Sequence, residues 1–330
     1  MKVLTLFNHK GGVGKTTLAA NLAEAIQDAG KRVLLVDTDP QCNLSSFYLT
    51  EKDLDKMLGE SSEGSGAGST VWTAIEPVVL GRGEVREVEP VEIRENLFLL
   101  VGDVLLSQYE EELPSAWTES FARKKRGYDV MCALSRVARS TAEDVGADLL
   151  IYDVGPNVGA LNRTVLLDCD YFLTPVHTDL YSLRALTTVG RSVARWVRDW
   201  QTVRELASAS EKVSLLKGQP QYLGYVSSAF KEYGGQKAEP HEYWERMIPA
   251  RVKLRVIDEL KAVNSALVPA PPYKLGDVPN FNSLAAASQQ FGVPIGDLRG
   301  LVNSGKYPKV DEIREVFASL AHNVTKQMGL

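Results

Sequence analysis

The chain has 330 residues, 44% of them hydrophobic and 24% charged, with a formal charge of −5. This composition supports a large buried core and excludes a disordered chain; the acidic balance excludes a uniformly basic nucleic-acid binder but leaves room for a local basic patch. Three cysteines without metal-like spacing, no apolar stretch of membrane-span length and no signal pattern at the amino terminus lead to a cytoplasmic expectation.

The first predicted element is a short buried strand over Val3 to Phe7. A helix is expected from Thr17 to Ala29, with Leu18, Leu22 and Ile26 on one face and Gly30 as its stop. Between them lies KGGVGKTT, Lys10 to Thr17. The strict G-x-x-x-x-G-K-[ST] pattern would put its leading glycine at His9, so this is a variant with Lys10 at the front. Glycines at 11, 12 and 14 let backbone N–H groups approach phosphate oxygens, and the following helix offers its positive end to the same anion. The expected cradle is Gly11, Gly12, Val13, Gly14, Lys15, Thr16 and Thr17, with Lys15 on the β and γ phosphates and Thr16 on Mg²⁺. A glycine-rich turn that merely contains lysine is the plainer alternative, and the strand–loop–helix order argues against it.

Further apolar runs occur at Val33 to Val36, Leu97 to Val101, Leu149 to Tyr152, Tyr171 to Val176 and Tyr222 to Ser227, with helical patterns between most of them. Continuous rather than alternating runs predict an α/β fold: a doubly wound, mostly parallel sheet with helices on both faces. Ligands would then gather at the carboxyl ends of the strands. Asp37 and Asp39 come directly after the second run and Asp153 after the fourth. One such aspartate is commonly a turn or cap residue. Three of them beside a phosphate loop favour nucleotide chemistry, with Asp153 on the metal, Asp37 supporting its shell and Asp39 orienting the attacking water.

The chain is expected to form one domain, 1–330, with a flexible surface insertion at Gly59 to Thr70. Between about 310 and 328 a closing helix is expected, with Val310, Ile313, Phe317, Leu320 and Val324 on one face. Its polar face mixes Asp311, Glu312, Arg314, Glu315 and Lys326, which suits packing on the body rather than a membrane anchor. Arg191, Arg195 and Arg198 share one predicted helix face, and Arg251, Lys253 and Arg255 form a second basic group. Each group is either a solvated face or a phosphate-binding patch.

KGGVGKTT resembles the deviant Walker A motif of the ParA/MinD ATPases, and DTDPQCNLS resembles their D-x-D-P-Q-G-N motif. The segment from Asp153 to Leu186 is similar to the Walker B region of ParA proteins together with its carboxyl-terminal flank, and IPARVKL, Ile248 to Leu254, to a segment near their end. The resemblance runs from Met1 to about Leu254. It implies a P-loop NTPase fold of the SIMIBI type, Mg²⁺-dependent ATP hydrolysis and an ATP-dependent homodimer. Lys10 would be the signature lysine that crosses the dimer interface, and Arg251, Lys253 and Arg255 would meet nonspecific DNA. A ParB-like or other protein activator and association with the nucleoid are also implied.

The departures are Asp153-Val154-Gly155-Pro156-Asn157, where ParA proteins usually carry D-x-P-P, and Cys42 in place of a glycine. Gly155 would either give its N–H to the γ-phosphate or be a plain turn residue. Cys42 reads as a small packed residue rather than a redox group. Relatives with other chemistry fit poorly: the sequence has no axial cysteines shortly after Asp153, no N/T-K-x-D base reader, no second phosphate loop and no tyrosine cluster in its tail. Without an amino-terminal helix-turn-helix segment, self-repression of its own operon is not expected. Three uses of the switch stay open: partition or positioning of a cargo, a regulatory or defence-associated switch on a protein effector without DNA, and an ATP-dependent ligase or synthetase.

Overall fold

Alternate residues of the central strands feed two separate cores. Val3, Leu34 and Leu150 join one, whereas Leu4, Leu35 and Ile151 join the other. The computed structural model describes residues 1–59, 68–230, 232–233, 236–237, 239–281 and 283–330. In chain order the strands are β1 (Lys2–Leu6), β2 (Val33–Asp37), β3 (Val91–Arg94), β4 (Leu97–Leu100), β5 (Leu149–Asp153), β6 (Tyr171–His177), β7 (Gln221–Phe230), β8 (Glu232–Tyr233), β9 (Gln236–Lys237) and β10 (Lys274–Pro279). Eight of them form one sheet in the order β10-β7-β6-β1-β5-β2-β4-β3, in which β3 and β4 pair antiparallel and every other pair is parallel. β8 and β9 make a separate two-stranded ladder.

The helices are α1 (Lys15–Asp28), α2 (Asn43–Tyr48), α3 (Glu51–Leu58), α4 (Val71–Val79), α5 (Leu106–Phe121), α6 (Lys125–Asp144) and α7 (Ala160–Asp168). They continue as α8 (Leu180–Leu206), α9 (Ala209–Ser214), α10 (Glu239–Val252), α11 (Asp258–Lys261), α12 (Ser283–Phe291) and α13 (Tyr307–Met328). Residues of α4 to α8 cover one face of the sheet, and those of α1 and α13 cover the other. The doubly wound, mostly parallel sheet expected from the continuous apolar runs is the one observed.

All six expected strands are present, and α1 starts at Lys15, two residues earlier than its apolar face suggests. Besides the short ladder of β8 and β9, the strands not anticipated are β3 and β10, which lie at the two edges of the eight-stranded sheet. β3 is half-exposed and β10 carries a glycine, an aspartate and a proline, so neither shows a fully buried apolar run. Val310, Ile313, Phe317, Leu320 and Val324 are all buried on α13, which packs on α1 and β10. At roughly 1.5–3 kcal/mol for each large apolar side chain removed from water, that face is committed to the body. No described helix is long and apolar enough to cross a membrane.

Of the expected insertion, Gly59 closes α3 with a φ of 75° and Thr70 caps α4 through the Thr73 N–H. Residues 60–67 lie outside the described residues. Between α10 and α11 the helix continues through a π-helical turn, Lys253–Ile257. This turn lies against α8 at Gly190, where a Cβ would stand 1.8 Å from the Arg255 carbonyl oxygen.

Candidate nucleotide site

The loop between β1 and α1 needs glycine for its backbone, not for space. Gly12 and Gly14 take φ values of 72° and 74°, and nothing lies within 4 Å of a Cβ built on either. Asn8, which no sequence motif singles out, pins the start of the loop: its Nδ2 donates to the Pro175 carbonyl at 2.8 Å and its Oδ1 accepts the Lys10 N–H at 3.1 Å. Gly14 is the N-cap of α1, so the first turn of the helix points its free N–H groups into the loop.

Lys15 is buried, and among the described residues its ammonium makes no hydrogen bond and no ion pair. Burial lowers its pKa, while the charges of Asp153 and Asp39 pull the other way. It lines a cavity of about 540 Å³ together with Gly12, Val13, Gly14, Thr16, Thr17 and Asp39. A buried cation without a protein partner, beside a ring of backbone N–H groups, is a site built for an anion.

The β2–β5 register sets Asp37 beside Asp153 at the carboxyl edge of the sheet. Thr16 donates its hydroxyl to Asp153 Oδ2 at 2.8 Å, and Asp153 Oδ1 is buried without a partner. Burial, reinforced by the charge of Asp37, pushes Asp153 up to about 8. The free oxygen beside a threonine hydroxyl fits a hard cation such as Mg²⁺. Among the described residues no group of three or more His, Cys, Asp or Glu side chains could hold a metal alone. That suits a cation sharing its shell with phosphate oxygens and water.

Asp37 is used differently from Asp153. Its Oδ2 accepts the Ser45 N–H at 2.8 Å and the Ser45 hydroxyl at 2.7 Å, and its Oδ1 accepts the Asp39 N–H at 3.3 Å. These bonds partly offset the burial that raises its pKa to about 6. Its carboxylate is therefore spent on holding the loop into α2, and it does not line the cavity. Asp39 does line it, with Oδ1 accepting the Gln41 N–H at 3.0 Å.

Gly11 and Gly155 stand just outside the cavity wall. A Cβ on Gly11 would be 3.9 Å from Pro156, and one on Gly155 would come within 3.2 Å of Asp39 Oδ1. The loop that departs from D-x-P-P is knitted by Asn162, whose Nδ2 donates to the Gly155 and Asn157 carbonyls at 2.8 and 2.9 Å. Cys42 adopts a φ of 51°, the left-handed conformation that the glycine of the resembling motif takes without cost. Lys10 pairs with Asp179 and donates to Ser182 Oγ at 3.1 Å within its own chain. Asp179 also caps α8 by accepting the Ser182 N–H at 2.9 Å, and against its burial the Lys10 and Ser182 bonds hold its carboxyl below the usual range.

Sequence reading missed the far wall of the cavity, which comes from Phe47 and from Ala285, Ala286, Ser288 and Gln289 of α12. A second recess of about 260 Å³ backs onto Gly12 to Gly14 and is lined by His177, Ser228 and Val278 to Phe281. The Ser228 hydroxyl there is buried without a partner. Phe47, Ser228, the residues of α12 and Val278 to Phe281 sit in no motif, and only a three-dimensional fold brings β7 and β10 to the phosphate loop.

Arg191, Arg195 and Arg198 are exposed on α8, and Arg184 is exposed seven residues before Arg191, in line with them. The second basic group lies on α10 and the π-helical turn, which pack on α8. Arg251 and Arg255 are half-buried there, whereas Lys253 is exposed and pairs with Asp258 at 3.3 Å. Arg191 faces Glu259 at 3.5 Å.

A glycine loop joining a central parallel strand to a helix, with a buried lysine and a threonine bonded to a strand-end aspartate, defines the P-loop NTPase class. Residues 1–202 match the AAA domain family AAA_31. The chain is 28% identical over 192 residues to the sporulation initiation inhibitor protein Soj of Bacillus subtilis, covering 58% of this chain and 64% of Soj. It is also 28% identical over 196 residues to the chromosome partitioning protein ParA of Caulobacter vibrioides, covering 59% of this chain and 63% of that protein. The matched stretch thus spans less than two thirds of either relative. The crystal structure of protein DIP2308 from Corynebacterium diphtheriae superposes with a TM-score of 0.73 at 28% identity, over 99% of both chains. The chain belongs to this AAA domain family and, within it, to the ParA-type P-loop ATPases.

Proposed function

We propose that the chain is a Mg²⁺-dependent ATP switch: ATP drives two copies together, hydrolysis resets them, and the cycle partitions or positions a plasmid, chromosome or protein cargo. The observation that carries the ATP reading is the buried, unpartnered Lys15 ammonium beside the Gly12–Gly14 backbone. In this reading Lys15 balances the β and γ phosphates and Asp39 orients the attacking water. Thr16 and Asp153 hold Mg²⁺, which supplies charge neutralisation at the β and γ oxygens. Positioning and electrostatics carry the catalysis, and turnover stays slow until a ParB-like or other activator completes the site. Titration with a fluorescent ATP analogue tests this: Lys15→Ala loses binding at least a hundredfold, and equal affinity in variant and parent refutes the assignment.

For the cargo, the arginine row of α8 beside Arg251, Lys253 and Arg255 supports nonspecific DNA, with nucleoid association in the cytoplasm following from it. Mobility shifts on random duplex at low salt are expected with ATP, to fade with ADP, and to be lost in Arg251→Glu/Arg255→Glu while dimerisation persists. A second reading, a switch on a protein effector without DNA, is favoured by the neutralising Lys253–Asp258 and Arg191–Glu259 pairs. It becomes the better account if the ATP-bound dimer ignores DNA.

A further inference from the structure

On the edge of the sheet opposite the phosphate loop, the amino ends of β1, β6 and β7 and the last turn of α8 enclose a recess of about 400 Å³. Lys2, Arg204 and Lys217 line it against a single carboxylate, Asp170, in a chain whose formal charge is −5. Asp170 is already engaged: Oδ1 pairs with Lys217 and Oδ2 accepts the Val3 N–H at 3.0 Å. Lys2 has no carboxylate within ion-pair distance among the described residues, its ammonium lying 5.7 Å from the centre of the Tyr171 ring. The side-chain amides of Gln219 and Gln221, which complete the lining, make no hydrogen bond among the described residues either.

Hydrogen bonds and one close approach tie α8 to the chain that leads into β7 along one wall of this recess. Arg204 Nη1 donates to the Leu215 and Leu216 carbonyls at 3.2 and 2.7 Å, and the Trp200 indole N–H donates to Leu216 at 2.9 Å. Gly218, at φ 69°, lies so close to Trp200 that a Cβ would approach its ring to 2.3 Å, and its N–H donates to the Leu167 carbonyl at 2.8 Å. Arg204 is thus fixed by carbonyls and Lys217 by Asp170, while the Lys2 ammonium stands over Tyr171 without a hydrogen bond among the described residues. Cations with spare donors around one concavity, beside amides that can also donate, match an oxyanion with several acceptor oxygens.

We propose that this recess is a second anion site, distinct from the phosphate loop, which takes a small polyvalent phosphate group, either free or carried on a metabolite. Lys2 and Lys217 supply the charge and Gln219 and Gln221 supply directed donors. The test is calorimetric titration of inorganic pyrophosphate into the full chain at low ionic strength, with the phosphate loop kept filled by saturating ADP. One further binding event is expected, weakened at least tenfold in Lys2→Gln/Lys217→Gln with ADP affinity unchanged. If the double variant fails to fold, Lys2→Gln alone gives the same reading, since that ammonium holds no hydrogen bond among the described residues. The same titration with 5′-AMP separates the sources: competition with pyrophosphate supports a carried phosphate, and its absence supports a free one. No binding beyond the ADP-filled loop, or equal affinity in parent and variant, overturns the proposal and leaves Arg204 as a partner of nearby carbonyls, Lys217 as a partner of Asp170 and Lys2 as a surface cation.

Discussion

Thr16 and Asp153 are joined by a 2.8 Å hydrogen bond across the root of the phosphate loop, which leaves the other Asp153 oxygen buried and unpaired. A buried acceptor without a donor costs about 1–3 kcal/mol, and a cation at that oxygen removes the cost. Asp153→Asn keeps the shape and removes the charge. Its nucleotide affinity in Mg²⁺ is expected to fall at least tenfold towards the parent's value in chelator. If Mg²⁺ strengthens binding equally in both proteins, Asp153 has no part in holding the metal.

Lys10 is engaged in its own chain, so crossing to a second copy requires releasing Asp179. The pair is about one-third exposed, with side-chain exposures of 27% and 35%, and pairs of that kind contribute only about 0.2–1 kcal/mol. Lys10→Ala should therefore bind nucleotide within about threefold of the parent yet fail to dimerise on a slowly hydrolysed ATP analogue. Asp179→Asn, which keeps a helix cap, should ease dimerisation by up to about fivefold. Light scattering measures both, and an unaltered Lys10→Ala dimer would confine the lysine to its own protomer.

Gly190→Ala drives a methyl group into the Arg255 carbonyl, 1.8 Å away. The π-helical turn must then lift from α8, at a cost of about 1–3 kcal/mol or more. Urea unfolding should show that loss, and a variant as stable as the parent would mean the turn moves aside freely.

Cys42→Gly should act in the opposite direction. A side chain at φ 51° bears left-handed strain of about 1–2 kcal/mol, partly offset by the greater freedom glycine gains on unfolding. A net stabilisation of about 0.5–1 kcal/mol is expected in the same urea assay; a destabilised variant would show that the Sγ contact with the Pro40 carbonyl outweighs the strain.

Glu24 gives a pH signature. Burial pushes it up to about 7, against the Arg94 guanidinium 3.0 Å away and the Tyr48 hydroxyl. The folded chain binds this proton more tightly than the unfolded one, so the contribution is full below about 4.5 and is lost as pH rises through 7. Glu24→Gln should remove that decline and gain on the parent between pH 5 and 8, by roughly 1–3 kcal/mol. Parallel stability–pH curves would rule the group out as the source.

The phosphate loop was legible because its chemistry is local: three glycines, a lysine and a threonine act through backbone angles and a helix end that a short segment determines alone. The strand-end position of Asp153 was legible for the same reason. The features that escaped reading depend on distant packing. Asn8 acts by reaching Pro175, Asp37 accepts both the N–H and the hydroxyl of Ser45, and α12 closes the cavity although the two alanines, the serine and the glutamine it contributes announce nothing. The edge strands escaped because a half-solvated strand lacks the apolar run that reveals a buried one.

The π-helical turn at Lys253–Ile257 has a consequence for how the surface of this region is phased. A π turn holds one residue more than an α turn, so every side chain after it is rotated by about 100° relative to an uninterrupted helix. Arg251, before the turn, and Asp258 to Lys261, after it, therefore lie out of step with the positions a helical wheel would assign them. A chain one residue shorter at this point could run straight through as an α-helix. The missing residue and the missing π turn would offset one another there, so Asp258 and Glu259, the acidic partners of Lys253 and Arg191, would keep their places around the axis; closing the turn into an α-helix at full length is what would swing them away and change the surface charge pattern with no charged side chain altered.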